Sequence, residues 1–476
     1  MYLVIKGHSF KYECEKLCRE FFPDRDIRAV FEENGGDDSV VTEITDERIS
    51  VSYLGLEKSE KRRAGMSEND LERVLAQLIF KVLGEKTGYY PKWGILTGIR
   101  PSKVMMNCEN TLGREKARDY FKNELLVSEE KISLSSEVAD RERKILSLST
   151  PDSFSLYISI PFCPTRCSYC SFISHSVESV KKLIPEYIER LLDEIKITGE
   201  IASDSGLRLE TVYFGGGTPT TLSGEQLKRI SDGIYQSFDM DNIREYTVEA
   251  GRPDTLDGEK LASLKNCGVT RISINPQTFS DSVLEVIGRH HTGEMTENAF
   301  RLARQAGFDN INMDLIAGLP TDTVESFRNT LEKTLALSPE NITVHTLSIK
   351  RSSHLGSEKT DYSDALTAEK MLSAAGERLR QSYAPYYMYR QSKTLGNLEN
   401  VGWCKEGREG LYNIFMMEEA HTVLACGAGA VTKLKAPRGA EIERIFNFKY
   451  PFEYIGKYAE LVERKKRIKE FYRTYK

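Results

Sequence analysis

The chain has no excess of positive charge: 66 Lys and Arg stand against 71 Asp and Glu, a formal net charge of −5 over 476 residues. General nucleic-acid binding needs a basic footprint, so this balance argues against it. No apolar run approaches the roughly 20 residues that span a bilayer. The opening MYLVIKGHSFKYECEKLCRE lacks the basic, apolar and small-residue order of a secretory signal. A cytoplasmic protein with no membrane span is expected. Repeats of solenoid period and low-complexity tracts are absent as well, which leaves an ordinary globular chain. A disulfide framework is not expected either. The nine cysteines, at 14, 18, 108, 163, 167, 170, 267, 404 and 426, are odd in number, and the expected compartment is a reducing one. Six of them read as small buried hydrophobes or incidental thiols. The other three crowd one short loop.

Hydrophobic residues at 40% and charged residues at 29% fit a folded protein, and the length allows roughly three domains. Residues 2–6 and 40–53 read as strands, and 68–83 as an amphipathic helix with Leu71, Val74, Leu75, Leu78, Ile79 and Val82 on one face. The charge run 57–63 reads as a solvated loop. GYYPKWGILTGIRPSK is punctuated by Gly and Pro, more helix follows to about 146, and SLSTPDS at 147–153 reads as a linker. An N-terminal α+β domain over 1–146 is the result.

From 154 onward short β-branched runs alternate with helical segments. Strands are expected at 155–160, 211–214, 245–249, 270–275, 310–316 and 342–349. Helices are expected near 178–200, 223–238, 257–267, 294–306 and 323–337. Such a βα series predicts an α/β fold with a parallel sheet, either a partial (β/α) barrel or an open doubly wound sheet. In both, chemistry sits at the C-terminal strand ends. After about 350 the alternation stops. Within 351–476, residues 365–383 read as helix, 411–417 as strand, CGAGA at 426–430 as a turn, and the Lys/Arg-rich end as a surface helix.

The strand LYISI runs into PFCPTRCSYCSF, where Cys163, Cys167 and Cys170 have the spacing C-x3-C-x2-C. Three thiolates on one loop hold three irons of a cubane [4Fe–4S] cluster and leave the fourth iron open. Structural zinc is the alternative, with His175 as a fourth ligand, although no second pair of cysteines follows.

With this motif the chain resembles the radical S-adenosylmethionine (SAM) superfamily. The string YISIPFCPTRCSYCSF is similar to the branch containing oxygen-independent coproporphyrinogen III oxidases. GGGTPT, VEAGRPDTL, RISINPQTF, IGRHHTG and NMDLIAGLP extend the resemblance over 150–350. GILTGIRPSK, NLENVGW and EGLYNIFMMEE with CGAGA resemble the HemZ-type coproporphyrinogen dehydrogenases. The resemblance implies a partial (β/α)6 radical-SAM barrel flanked by the N-terminal α+β domain and a C-terminal α+β extension. It also implies a [4Fe–4S] cluster on Cys163, Cys167 and Cys170, with SAM on the open iron. One electron from the cluster cleaves SAM, and the 5′-deoxyadenosyl radical takes a hydrogen atom from the substrate.

The same resemblance places residues near SAM one by one. Tyr157 lies near the bound SAM. Gly216, Gly217 and Thr218 belong to a loop on its methionine part; that loop follows a strand and is read as opening a helix whose N-terminus favours a carboxylate. Glu249 ends the next strand and suits ribose hydroxyls or the amino group. Gln277, Arg289 and Asp314 match further positions, Arg289 as a fork for a carboxylate. Asp314 is a mid-strand charge that needs a partner, either a ligand or a neighbouring Arg. Gln277, Arg289 and Asp314, together with Gly217, Thr218, Tyr169 and Ser348, correspond to a second SAM site in the decarboxylating relative.

The implied reaction is oxidative decarboxylation of coproporphyrinogen III to protoporphyrinogen IX in porphyrin and heme biosynthesis, with reduced flavodoxin or ferredoxin as electron donor. Two alternatives stand beside it, a heme-binding chaperone with His345, His354 or His421 as axial ligand, and a radical-SAM methyltransferase acting on another tetrapyrrole. The chain departs from both neighbours. Phe172 stands where the decarboxylase has a fourth cysteine, and Asn400-Val401-Gly402-Trp403 lacks the His and Tyr of the chaperone's heme string.

Overall fold

The computed structural model of the protein describes residues 1–475 apart from 24, 33–35, 37, 173–174, 350–364 and 392–393. The described residues form two compact units. One comprises Met1–Asp140 with Tyr389–Leu398, the other Arg141–Met388 with Glu399–Lys476.

The first unit is built on the strands β1 (Tyr2–Lys6), β2 (Arg28–Phe31), β3 (Ser39–Ile44), β4 (Arg48–Tyr53) and β5 (Leu56–Lys61), in the order β2-β1-β3-β4-β5. The helices α1 (Lys11–Phe21) and α2 (Glu68–Thr87) share a core with this sheet; Leu17, Cys18, Leu75, Ile79, Leu83 and Val51 are buried in it. A Ser67–Asp70 capping box starts α2, and Gly88 at φ 70° ends it, the left-handed position that glycine takes without strain. The helices α3 (Pro101–Leu112), α4 (Arg114–Asp119) and α5 (Glu129–Leu146) follow. Two expectations change here. The stretch 40–53 is a hairpin of two strands rather than one. The charge run at 57–63 is largely strand β5, which pairs antiparallel with β4 from Leu56 to Lys61. It is an edge strand, where a row of charged side chains is compatible with ladder hydrogen bonds on one side.

The second unit carries β6 (Ser153–Ile160), β7 (Phe162–Cys163), β8 (His175–Ser176), β9 (Arg208–Gly216), β10 (Glu245–Glu249), β11 (Arg271–Ser273), β12 (Ile311–Ala317), β13 (Asn341–Thr346), β14 (Ala384–Arg390, of which Tyr389 and Arg390 count with the first unit), β15 (Glu399–Cys404), β16 (Thr422–Cys426), β17 (Val431–Lys435) and β18 (Ile442–Phe446). The six parallel strands expected from sequence are β6 and β9–β13, lying side by side in the order β13-β12-β11-β10-β9-β6. The sheet continues on both edges. β15 pairs antiparallel with β13 with β14 beyond it, and β16 pairs parallel with β6 and leads to β17 and β18. Glu399–Lys476 thus lies in the same unit as the barrel strands.

The helices between strands are α6 (Val177–Val180), α7 (Ile184–Asp204), α8 (Gly224–Ser237), α9 (Gly258–Asn266), α10 (Asp281–Val286), α11 (Gly293–Gln305) and α12 (Val324–Leu337), followed by α13 (Ala365–Leu379), α14 (Leu411–Met417), α15 (Pro451–Gly456) and α16 (Tyr458–Thr474). Their apolar faces cover the sheet; Ile188, Leu191 and Ile195 of α7 and Leu227, Ile230 and Ile234 of α8 are fully or almost fully buried.

Two C-terminal expectations are corrected. Residues 411–417 form helix α14, not a strand. The Glu245 carboxylate accepts from the Leu411 and Tyr412 backbone N–H groups at 2.8 and 3.1 Å, which satisfies the first orphan donors of a helix. A seven-residue apolar run does not reveal this by periodicity. The Lys/Arg-rich end is not simply a surface helix either. α16 buries Leu461, Ile468, Phe471 and Tyr472, and its Lys465 pairs with the buried Glu194 of α7 at 2.9 Å. Among the described residues no helix is long and apolar enough to cross a membrane.

Candidate active site

The cysteine loop leaves the end of β6 through Ile160 and Pro161. Cys163 lies in β7, which pairs with β8; Cys167 is buried, and Cys163 and Cys170 are half-buried. Burial pushes the Cys170 thiol up to about 11, and the neighbouring Cys167 and Cys163 sulfurs add to that. The Cys170 N–H donates to the Cys167 carbonyl at 3.1 Å. The Thr218 hydroxyl donates to Cys163 Sγ at 3.5 Å. This is a donor set of three soft sulfurs on one loop with no carboxylate among them, which fits an iron–sulfur cluster. Among the described residues no three Cys, His, Asp or Glu side chains gather closely enough to hold a single ion.

The glycine loop works differently from its sequence reading. It follows β9 as expected, but no long helix opens on it. A short turn at Pro219–Thr221 intervenes, and α8 starts only at Gly224, capped by Ser223 and Gln226. The Gly217 and Thr218 N–H groups donate to Ile160 O and Phe162 O, both at 2.7 Å. The loop therefore continues the β6–β9 pairing alongside the cysteine loop. A Cβ on Gly217 would lie 2.5 Å from Phe162 O, and one on Gly216, at φ 104°, 2.9 Å from Ser159 Oγ. The glycines allow two backbones to meet at the base of the cysteine loop.

Strand register assembles the rest of the site. Tyr157 is opposite Tyr213, Tyr213 opposite Thr247, Glu249 opposite Ser273, Ser273 opposite Asn312, and Asp314 opposite Thr343. Partners in register share a face, and so do residues two apart in a strand. Tyr157, Tyr213, Glu249, Asn312, Asp314, Thr343 and His345 therefore face the same side of the curved sheet. The Tyr213 hydroxyl donates to Glu249 Oε1 at 2.6 Å, and its ring stacks on Tyr412 with centroids 4.3 Å apart. Tyr157 stacks on both, at 6.2 Å from each.

The two carboxyls of this face are driven apart. Burial pushes Glu249 up to about 7; the Tyr213 hydrogen bond opposes this and the Asp314 charge adds to it. Burial also acts to raise Asp314, but hydrogen bonds and charge from His345, with Asn312 and Thr343, outweigh it and hold the group below its ordinary value. The Asn312 amide donates to Asp314 Oδ1 at 2.7 Å, and His345 Nε2 is 3.7 Å from Oδ2. The partner that a mid-strand aspartate demanded is thus a histidine and an asparagine, not an arginine.

Gln277 and Arg289 follow β11, and Arg289 lies toward the cysteines. Gln277 has φ 65° and is held by its N–H on Asp314 O and by its own carbonyl on Ile316 N–H. A glutamine in the left-handed region carries strain, which concentrates at functional positions. Its side-chain Oε1 is buried and meets no protein donor. Arg289 is buried and gives Nη1 to Gly251 O at 3.2 Å and Asn275 O at 2.8 Å, while its Nε has no protein acceptor. Part of the expected carboxylate fork is therefore committed to backbone. Tyr169 and Cys167 lie against the same guanidinium; burial pushes the Tyr169 phenol up and Arg289 opposes this. Ser348 is half-buried just beyond β13.

Sequence reasoning passed over Tyr213, Tyr412, Asn312 and the buried Arg252. Tyr213 had a signal: it sits two residues before the glycine loop on the strand that pairs with Tyr157. Tyr412 lies in the EGLYNIFMMEE string, but only the cap on Glu245 places it against Tyr213. His421 is buried with both ring nitrogens engaged, Nδ1 with Ser155 Oγ at 3.1 Å and Nε2 with Ser149 Oγ at 3.0 Å, and it stacks on Phe415. His354 lies outside the described residues.

Residues 157–334 match the model of the radical SAM superfamily. The oxygen-independent coproporphyrinogen-III oxidase-like protein HemZ of Bacillus subtilis is 38% identical over 438 residues, 88% of this chain and 87% of its own. The heme chaperone HemW of the same organism is 34% identical over 261 residues, 55% of this chain and 66% of its own. The solved structure of coproporphyrinogen III oxidase (HemN) from Escherichia coli, a radical SAM enzyme, has the same fold. Its TM-score is 0.53 at 21% identity, over 67% of this chain and 72% of that one.

Proposed function

Since the chain belongs to the radical SAM superfamily and, within it, to the family of the HemZ coproporphyrinogen-III oxidase-like proteins, we propose that it converts coproporphyrinogen III to protoporphyrinogen IX without oxygen. A [4Fe–4S] cluster and SAM are the cofactors of the superfamily, and when bound they supply the one-electron chemistry that removes a hydrogen atom from an unactivated carbon.

Cys163, Cys167 and Cys170 hold the cluster. Tyr157, Tyr169, Gly216, Gly217, Thr218, Glu249, Gln277, Arg289, Asp314 and Ser348 surround SAM. The observation that carries this reading is the row of polar side chains brought into register on one face of the sheet at the base of the cysteine loop. Glu249 Oε2 and the ionised Asp314 accept from ammonium or hydroxyl donors. Arg289 Nε, with no protein acceptor, meets a carboxylate. Gln277 Oε1 accepts from an amino group. The stack of Tyr157, Tyr213 and Tyr412 excludes water from that face, and the Tyr213 hydroxyl donates to Glu249 Oε1, orienting the carboxyl. Reduced flavodoxin or ferredoxin delivers the electron.

The heme-chaperone reading has its support in the likeness to HemW. It needs a durable axial ligand, and the His421 nitrogens are both engaged by serines.

The test is anaerobic incubation of the iron-reconstituted protein with SAM, dithionite and coproporphyrinogen III. Stoichiometric CO2, 5′-deoxyadenosine and vinyl groups are expected. Tight heme binding with no vinyl product would replace this function with the chaperone's.

A further inference from the structure

Arg252 stands in the turn just after β10. Its side chain is buried to 4% exposure, beside Asp254 at 19%. A guanidinium has five N–H donors in a rigid fork, and here all five have acceptors. Nε and Nη2 grip Asp254 Oδ1 and Oδ2 at 3.1 and 3.2 Å. The other Nη2 hydrogen goes to Thr165 Oγ1 at 3.0 Å. Nη1 gives one hydrogen to Thr165 O at 3.3 Å and the other to Cys167 Sγ at 3.8 Å.

The arrangement has a direction. Asp254 occupies one edge of the guanidinium, and the opposite edge meets the cysteine loop. The pair is neutral overall, but its positive end touches the sulfur. Replacing the fork with a lysine ammonium would keep the charge and lose the ability to span Asp254, Thr165 and Cys167 together. A buried arginine that served only to pair with an aspartate would not need its far edge on a thiol.

We propose that Arg252 is a positioning residue that donates an N–H···S hydrogen bond to the Cys167 ligand and thereby raises the reduction potential of the iron–sulfur cluster. The inference rests on the assignment of the cluster to Cys163, Cys167 and Cys170. Its physical basis is that potentials of such clusters are set by local charge and by hydrogen bonds to the sulfurs. Reduction adds negative charge to the sulfurs, and an oriented donor stabilises that state more than the oxidised one. Asp254 holds the donor in place, and Thr165 fixes the loop against it.

The experiment is an EPR-monitored redox titration of the full-length, anaerobically reconstituted protein, with iron per chain measured on each sample. Arg252→Gln is expected to keep its iron and to shift the midpoint potential to more negative values, and Arg252→Lys to shift it less. Full iron with an unchanged potential in Arg252→Gln overturns the proposal. Loss of iron from both variants also overturns it, because Arg252 is then a structural staple of the loop. If only the Gln variant loses iron, an unchanged potential in Arg252→Lys does the same. Wild-type protein that takes up no iron sinks the cluster assignment itself, and this inference with it.

Discussion

Glu249 shows how one side chain couples site chemistry to stability. Burial, opposed by Tyr213 and reinforced by Asp314, moves its pKa from the ordinary 4.5 to about 7. The folded chain therefore binds this proton more tightly than the unfolded chain does. The contribution is complete below the unfolded value and is lost as pH rises through the folded one. Over that window it amounts to about 3 kcal/mol. Glu249→Gln removes the titration. The variant should gain on wild type in urea unfolding between about pH 5 and pH 8, with no ligand present. A difference that does not change with pH would remove the buried carboxyl from the account. Asp314 was readable as a charge in an apolar strand, but its partner was not. His345 reaches it from the next strand, and only the β12–β13 register makes them neighbours. Arg252 carried only a local signal, the aspartate two residues on.

The glycine loop is the element whose role changed most between sequence and structure. Glycines after a strand invite the reading of a ligand cradle, yet the N–H groups of Gly217 and Thr218 are spent on the cysteine loop. A methyl group on Gly217 meets the Phe162 and Ile160 carbonyls at 2.5 and 2.9 Å, and backbone cannot yield as a flexible side chain does. Gly217→Ala is expected to cost about 1–3 kcal/mol through overpacking and to lower iron retention, because it displaces the strand end that carries Cys163. Gly258→Ala, at the first position of α9 with nothing within 4 Å, serves as the control and should be neutral or stabilising by up to about 1 kcal/mol. Equal iron content and equal unfolding midpoints in the two variants would refute the close-approach argument. At this scale the βα alternation was legible because each strand and each helix has its own hydrophobic period. Helix α14 was not, because its start is decided by a glutamate 166 positions away in sequence.

For the whole molecule, the chain's return to its first unit at Tyr389–Leu398 matters most. Arg390 is buried there against Glu20 at 3.2 Å, with side chains 4% and 2% exposed. It also donates to the Leu96 and Asn397 carbonyls, with Asn397 at 2.8 Å. Burial pushes the Glu20 carboxyl up to about 7 against the pull of Arg390. Breaking a buried pair from one side strands the other charge. Arg390→Met should therefore cost about 3–5 kcal/mol, and the Glu20→Met/Arg390→Met double variant should recover much of it. A double-mutant cycle in urea checks this; simple additivity would mean the two groups do not act together. The first unit is thus not fully described by a boundary near residue 146, since it needs ten residues from the far end of the sequence.

What the sequence alone determined is what repeats locally: the soft-ligand loop, with its spacing set by three cysteines on one turn, and the six βα units, with their periods set by which residues face solvent. The same periodicity put Glu249 at the end of one strand and Asp314 within another, and the resemblance to the radical SAM superfamily singled them out together with Tyr157. Only the tertiary structure decided which side chains meet. Register between β6, β9, β10, β12 and β13 gathers the tyrosines, carboxyls and His345 on one face. Close approach of two backbones explains the glycines. A buried fork that spans Asp254, Thr165 and Cys167 gives Arg252 its place. The physical reason is common to all three: periodicity is a property of one element. A hydrogen bond or a charge shift arises between elements far apart in the chain, and packing alone sets their distance.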